Sequence, residues 1–512
     1  MTKRSANSRV RPPLPLLVLA GTSAAVAVIP LGYLFVRGFE GGIDALVDSI
    51  FRGRVLHLTT NTIVLTILVT VTCLVIGTVV GVILARFKLP GGRLWLLLAA
   101  LPLAVPSYIA AYGWLVLVPN FGGLFASWFV MSAVCIPYVS LPVAAVLQNS
   151  ATDLEAVART LGSSPIGAFK AATWPLIRPA ASAGALLAAL YTLSDFGAVS
   201  MLRFQTLTWG IKSAYSSIFD RNLAALLAMI LVVLALVVVL FERRMREPVG
   251  PMSSKRIARR IPNNRDAFLA MSVLSVAPVF GVLIPIIGLA HQLFQAETVR
   301  RMEITQLAIT LGTTVLLAAS GALVAVVLAI PIATLAAKYR GKIVSTIESA
   351  GYLGNSLPGI VVGLALVFFA LSAVPSLYQT FALLVFAYAV LYMSKSIGAI
   401  RSGLESVPES LVDLARTQGM TPFQTWYRVS FRIAAPSIGV GALLVAIAII
   451  KEIPATLLLR PTGVSTLAVE LWNRTSVLEY GSAAPYAALL LLVAAVPAFF
   501  LSGVRGTFRE VE

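Results

Sequence analysis

Two acidic residues stand where acids are rare. Asp195, in LLAALYTLSDFGAVSMLR, and Glu452, in LLVAIAIIKEIPATLLLR, lie inside long apolar runs and are 257 positions apart. A charge at the centre of a membrane span costs about 2.5–3.5 kcal/mol on insertion scales, so a matched pair needs a task. Asp195 lies 15 residues beyond Ala180, roughly 22 Å along a helix, in the outer part of a span that starts there. Two chemistries fit. The carboxylates form an acidic site that a cation passes, or they serve the backbone. Gly197 and Pro454 follow the acids by two residues, where a helix can break and a carboxylate can cap freed N–H groups or pair with Arg203 and Arg460.

Enzyme chemistry is absent from the sequence. The Gly341-Lys342 pair has Ala336 where a phosphate loop needs its first glycine, and Ile343 where it needs Ser or Thr. No H-E-x-x-H, nucleophile elbow or acidic metal cluster occurs. Cys73 and Cys135 lie in apolar runs and read as small buried hydrophobes. His57 and His291 flank such runs without a second ligand nearby, and no residue is assigned to a metal.

A second constellation occurs twice. Residues 153–179 read DLEAVARTLGSSPIGAFKAATWPLIRP and residues 410–436 read SLVDLARTQGMTPFQTWYRVSFRIAAP. A shift of 257 superimposes Ala158, Arg159, Thr160, Gly162, Pro165 and Pro179 on Ala415, Arg416, Thr417, Gly419, Pro422 and Pro436. Leu154, Val157, Ala158 and Leu161 make one apolar helical stripe. Gly162 supplies the positive φ that ends a helix, and Ser164-Pro165 and Thr421-Pro422 read as N-cap and first-turn proline of a second short helix. Such a knob between membrane spans presents a face to another protein.

The elements that position these residues are membrane helices. The chain is 58% hydrophobic and 12% charged, with mean hydropathy +0.91, against about 25% charged in soluble domains. It reads as an all-α integral membrane protein. Its net charge of +18 does not indicate nucleic acid, because the basic residues lie in short loops between apolar runs rather than on a stripe. Twelve spans are expected, at about 14–36, 59–85, 94–117, 124–148, 180–202, 222–241, 267–291, 307–337, 346–374, 378–394, 433–459 and 484–504. Gly351, Gly354, Pro358 and Gly359 mark the ninth for a kink. The first follows Lys3, Arg4, Arg9 and Arg11, and its 23 residues exceed the roughly 7–15 of a signal h-region, so it is expected to be retained.

A basic linker, 242–265, divides the chain into a first half, 1–241, and a second, 266–512. GALL recurs at Gly184 and Gly441, and Leu202-Arg203 matches Leu459-Arg460. Two parallel six-helix repeats follow. With the N-terminus inside, 28 of the 39 Lys and Arg residues fall on the inner side, which puts both termini and both repeated loops in the cytoplasm. The longer outer segments carry Asp44, Asp48, Lys212, Asp220, Arg221, Arg474 and Glu479.

The repeated segment resembles the cytoplasmic EAA loop of permease subunits of binding-protein-dependent ABC importers, whose short helix docks in a cleft of the ATPase. Six residues before Gly419 stand Asp413, Leu414 and Ala415, with the acid in the family's place. In the first copy that count lands on Ala156, and Glu155 lies one residue earlier, about 100° round a helix. The resemblance implies that Glu155, Ala158, Arg159, Gly162, Pro165, Asp413, Ala415, Arg416, Gly419 and Pro422 make the docking loops. LSDFGAVSMLR (193–203) and KEIPATLLLRPTGVSTLAVELW (451–472) resemble the corresponding stretches of ferric-iron importer permeases, which are fused chains of this length. That family implies a type I ABC importer transmembrane domain in a bacterial inner membrane. It also implies a solute-binding protein on the outer face and a separate ATPase, itself a homodimer, which holds ATP and Mg while this chain binds no cofactor. Related fused permeases carry thiamine or other small solutes. The competing class is a twelve-span secondary transporter driven by an ion gradient, which gives no reason for duplicated docking loops.

Overall fold

The computed structural model describes residues 12–39, 51–148, 154–245, 261–295, 297–298 and 303–507. Lys3, Arg4, Arg9, Arg11, Asp44, Asp48, Arg509 and linker residues 246–260 lie outside the described residues. All regular structure among the described residues is helical, as hydrocarbon demands of a segment that must satisfy its own backbone.

Twenty helices among the described residues build and position the loops and the two carboxylates. They are α1 (Leu14–Phe39), α2 (Gly53–Arg86), α3 (Gly92–Ala100), α4 (Ser107–Leu117), α5 (Gly123–Gln148), α6 (Leu154–Thr160), α7 (Pro165–Ser194), α8 (Gly197–Met201), α9 (Leu207–Ser216) and α10 (Arg221–Met245). The second half adds α11 (Asn264–Leu293), α12 (Ile304–Lys338), α13 (Lys342–Gly351), α14 (Gly359–Ala373), α15 (Phe381–Glu405), α16 (Glu409–Thr417), α17 (Pro422–Ile450), α18 (Pro454–Leu459), α19 (Leu467–Ser476) and α20 (Tyr480–Thr507).

Ten helices among the described residues are long and apolar enough to cross a membrane, or eleven with one bent pair counted as a span. The difference from twelve lies in the third span of each half. The run 94–117 is not one helix: α3 and a 3-10 turn at Leu101–Leu103 meet α4 at a 90° bend. The run 346–374 divides likewise into α13, a 3-10 turn at Leu353–Ser356 and α14. Pro106 and Pro358 precede α4 and α14, and a proline pushes the residue before it out of helical conformation. Apolarity is continuous through both breaks, so a count of apolar runs cannot register them.

The helices form two compact units. One comprises residues 1–46, 303–471 and 488–512, the other 47–302 and 472–487. The sequence divides at its linker, whereas packing divides otherwise. In the first unit α1, from the first half of the chain, lies on α12, α13 and α14, with Tyr33 edge-on to Phe369 at 6.3 Å. In the second unit α11, from the second half, lies on α3, α4 and α5. There Trp114 Nε1 donates to Phe280 O at 3.0 Å, and a Cβ on Gly288 would meet Gly113 O at 2.3 Å, so the helices pack backbone to backbone.

Internally the units repeat. The Thr62 hydroxyl accepts the Leu207 N–H at 2.8 Å in one, and Thr314 accepts the Leu467 N–H at 2.9 Å in the other. The glycine of each GALL is a helix crossing: a Cβ on Gly184 would lie 2.8 Å from Val139 Cα, and one on Gly441 would lie 3.2 Å from Ser396 Cα.

Candidate functional site

Both copies of the repeated loop fold alike. Helix α6 ends at Gly162, φ +89°, where Ser163 N donates to Ala158 O at 3.0 Å. Helix α16 ends at Gly419, φ +81°, where Met420 N donates to Ala415 O at 3.1 Å. This six-to-one bond around a left-handed residue is the Schellman ending, which only glycine adopts without strain. After the break Ser164 Oγ accepts the Gly167 N–H at 3.1 Å. Thr421 Oγ1 accepts the Gln424 N–H at 3.3 Å while Gln424 Oε1 takes the Thr421 N–H at 3.0 Å, a reciprocal capping box. Pro165 and Pro422 begin the helices so capped. These helices are not separate short elements, as the sequence suggests. Each continues through a π-turn, Phe169–Thr173 or Trp426–Phe431, into the following span.

The loops expose apolar side chains. Val157, Leu161 and Ile166 are exposed in the first, and Leu414, Phe423 and Tyr427 in the second. Phe423 stacks on Tyr427 at 6.4 Å and Tyr427 on Phe431 at 5.9 Å. Exposed apolar clusters of this kind mark partner surfaces. Ala415 is buried beneath its helix, and Ala158 is half-buried. Arg159 and Arg416 are exposed.

The acids of the two loops differ. Glu155 points inward: its Oε2 lies 2.5 Å from Arg86 Nη2 at the end of α2 and accepts the Thr173 hydroxyl at 2.6 Å. Partial burial pushes this carboxyl up, but hydrogen bonds from Arg86 and Thr173 and the charges of Arg86 and Arg159 outweigh it and hold Glu155 below the usual carboxylate range. Asp413 points outward and meets Arg416 at 3.4 Å, with both side chains largely exposed. An exposed pair of that kind contributes roughly 0–1 kcal/mol.

The two intramembrane carboxylates also have defined hydrogen-bond partners. Helix α7 stops at Ser194, Asp195 is extended, and its Oδ1 accepts the N–H groups of Ala198 and Val199 at 3.0 and 3.2 Å, capping α8. Ser107, at the start of α4, donates to Oδ2. In the other unit α17 stops at Ile450, Glu452 Oε1 accepts the Ala455 N–H at 3.0 Å in α18, and Tyr392 donates to Oε2. Each unit therefore has two broken spans whose breaks meet at one carboxylate. Arg460 turns elsewhere, donating to Val464 O at 3.0 Å and Ser465 Oγ at 3.2 Å. Ser107 corresponds to Gly359, 252 positions on. A Cβ at Gly359 would lie 2.7 Å from Glu452 Oε1. The short acid faces serine and the long acid faces glycine, so reach and space compensate.

Sequence reasoning missed Arg86, Thr173, Ser107, Tyr392 and Gly359. For Arg86, Ser107 and Gly359 the one signal is a register of 252 rather than 257 in the early helices, set by Thr62 and Thr314 and by Pro106 and Pro358; Thr173 keeps the 257 register with Ser430, and Tyr392 has no matching residue in either.

A helical membrane chain with two similar units, each with a glycine-broken loop exposing an apolar face, is built as a permease that a partner drives. Residues 77–246 and 326–505 match the binding-protein-dependent transport system inner membrane component family, and the chain belongs to it. Membership makes it a multi-pass transport subunit whose partners are, in general terms, an ATPase and a solute-binding protein. Over 497 residues it is 29% identical to an Fe(3+)-transport system permease protein of Haemophilus influenzae, covering 96% of this chain and 98% of that one. It is 26% identical over 235 residues to a sulfate transport system permease protein of Escherichia coli, covering 41% of this chain and 81% of that one. A probable molybdenum ABC transporter permease protein of Haloferax volcanii is 27% identical over 199 residues, 37% of this chain and 73% of its own.

Proposed function

We propose that the chain is the membrane permease of an Fe(III) importer. A binding protein delivers the cation to the outer face, and a separate ATPase homodimer, which holds ATP and Mg, docks on the loops around Gly162 and Gly419. The observation that carries iron is the end-to-end match to a ferric permease, against matches to oxyanion permeases that cover less than half of this chain. The loop geometry supports docking, and the excess of Lys and Arg on the loop side supports cytoplasmic termini. Asp195 and Glu452 act by holding the broken spans in shape, rather than by binding the cation. Uptake of radiolabelled Fe(III) by iron-starved cells tests the reading. Deletion of the chain is expected to abolish uptake and its return to restore it, whereas restored uptake of thiamine, sulfate or molybdate instead assigns another cargo.

A further inference from the structure

The two loops differ in one position that matters. In the first, Arg86 and Thr173 surround the Glu155 carboxylate, with Arg86 Nη2 also 2.6 Å from Thr173 Oγ1, and Arg159 adds its charge. The corresponding positions in the second loop are Lys338, Ser430 and Arg416, with Val412 in place of Glu155. The cations and the hydroxyl are kept, and the acid is gone. Lys338, at the end of α12, is influenced first by partial burial and second by the like charge of Arg416, and it has no carboxylate partner among the described residues. The Ser430 hydroxyl is buried without a hydrogen-bond partner among the described residues. Asp413 does not fill the place: its side chain is largely exposed and its ion pair is with Arg416, at 3.4 Å.

We propose that an acidic side chain of the ATPase enters the second loop between Lys338 and Arg416 and supplies the carboxylate that Glu155 supplies within the first. This rests on the docking reading above. The chain's own first loop is the template: there one cation and a hydroxyl contact one carboxylate, and the charge of a second cation, Arg159, favours it. The apolar side chains beside it, Leu414, Phe423 and Tyr427, are exposed as a protein partner requires. The two docking contacts are then chemically unequal, with a self-satisfied loop on one side and a loop that takes its counterion from the partner on the other.

The test is retention of the ATPase by the full-length chain purified from membranes. Lys338→Glu is expected to weaken retention about tenfold at low salt, and one Asp→Lys or Glu→Lys change on the ATPase surface is expected to restore it. Val412→Glu, which provides an internal acid, is expected to weaken retention while raising the thermal midpoint of the chain. If Lys338→Glu does not accumulate, Lys338→Gln takes its place, with a smaller loss that disappears at high salt. Parental retention by the charge variant and by Val412→Glu overturns the proposal. So does loss of co-purifying anionic phospholipid in place of ATPase, which would make the cations a lipid headgroup site. Retention of ATPase by a Gly162→Val/Gly419→Val double variant would instead remove the docking reading itself.

Discussion

The pairing of Ser107 with Asp195 and of Gly359 with Glu452 sets the finest constraint in the molecule. Gly359→Ser alone places a Cβ 2.7 Å from Glu452 Oε1, and overpacking of this kind costs about 1–3 kcal/mol. Its thermal midpoint and membrane level are expected to fall. Adding Glu452→Asp recreates the arrangement of the other unit and is expected to recover most of the loss, a coupling that a double-mutant cycle measures. Asp195→Asn and Glu452→Gln keep an oxygen for the capped N–H groups, so both are expected to accumulate normally and to transport at close to the parental rate. Leucine at either position removes the cap and is expected to cost about 1–2 kcal/mol. Normal accumulation of the amide variants with loss of transport would show that the charge itself serves the cation. The two acids were legible in the sequence because they share the 257 shift and precede Gly197 and Pro454. Ser107 was not, since it lies 88 positions from Asp195 and only folding brings it there.

At the scale of elements, the loops were the most legible part of the chain. Glycine, N-cap and proline each act within a few residues, so their types alone specify the break. What local pattern does not contain is the tie from Arg86 to Glu155, across 69 positions, and the continuity of the second helix with the span through a π-turn. Gly162→Val and Gly419→Val have open space around the new side chain, so the penalty is the left-handed backbone, roughly 1–2 kcal/mol each. ATPase co-purification is expected to fall while membrane insertion stays normal. Because Glu155 is held below its usual value when folded, its ion pair stabilises the loop above the ordinary glutamate pKa, about 4.3. That contribution is lost as pH falls through the lower, folded value. Glu155→Gln is therefore expected to lower the thermal midpoint near neutral pH, with the gap to the parent closing in acid. An equal gap at both pH values would show that the pair does not supply the stability.

For the whole molecule, composition was enough to read a helical membrane protein and the 257 shift enough to read two repeats, but apolar runs were too coarse to count its spans. Breaks before Pro106 and Pro358 divide apolar runs into separate elements without changing their hydropathy. Nor does composition show that α1 packs with helices of the second half and α11 with those of the first, because that choice is made by surfaces such as Gly113 against Gly288. The proposed function has ATP hydrolysis on a partner, transmitted through the two loops, move the cargo. Its most direct test is Fe(III) uptake into vesicles that hold the chain and its ATPase, with loaded binding protein outside and ATP within. Uptake that needs ATP, persists when ion gradients are dissipated and stops in the Gly162→Val/Gly419→Val variant is expected. Uptake that follows an ion gradient and proceeds without the ATPase would contradict it.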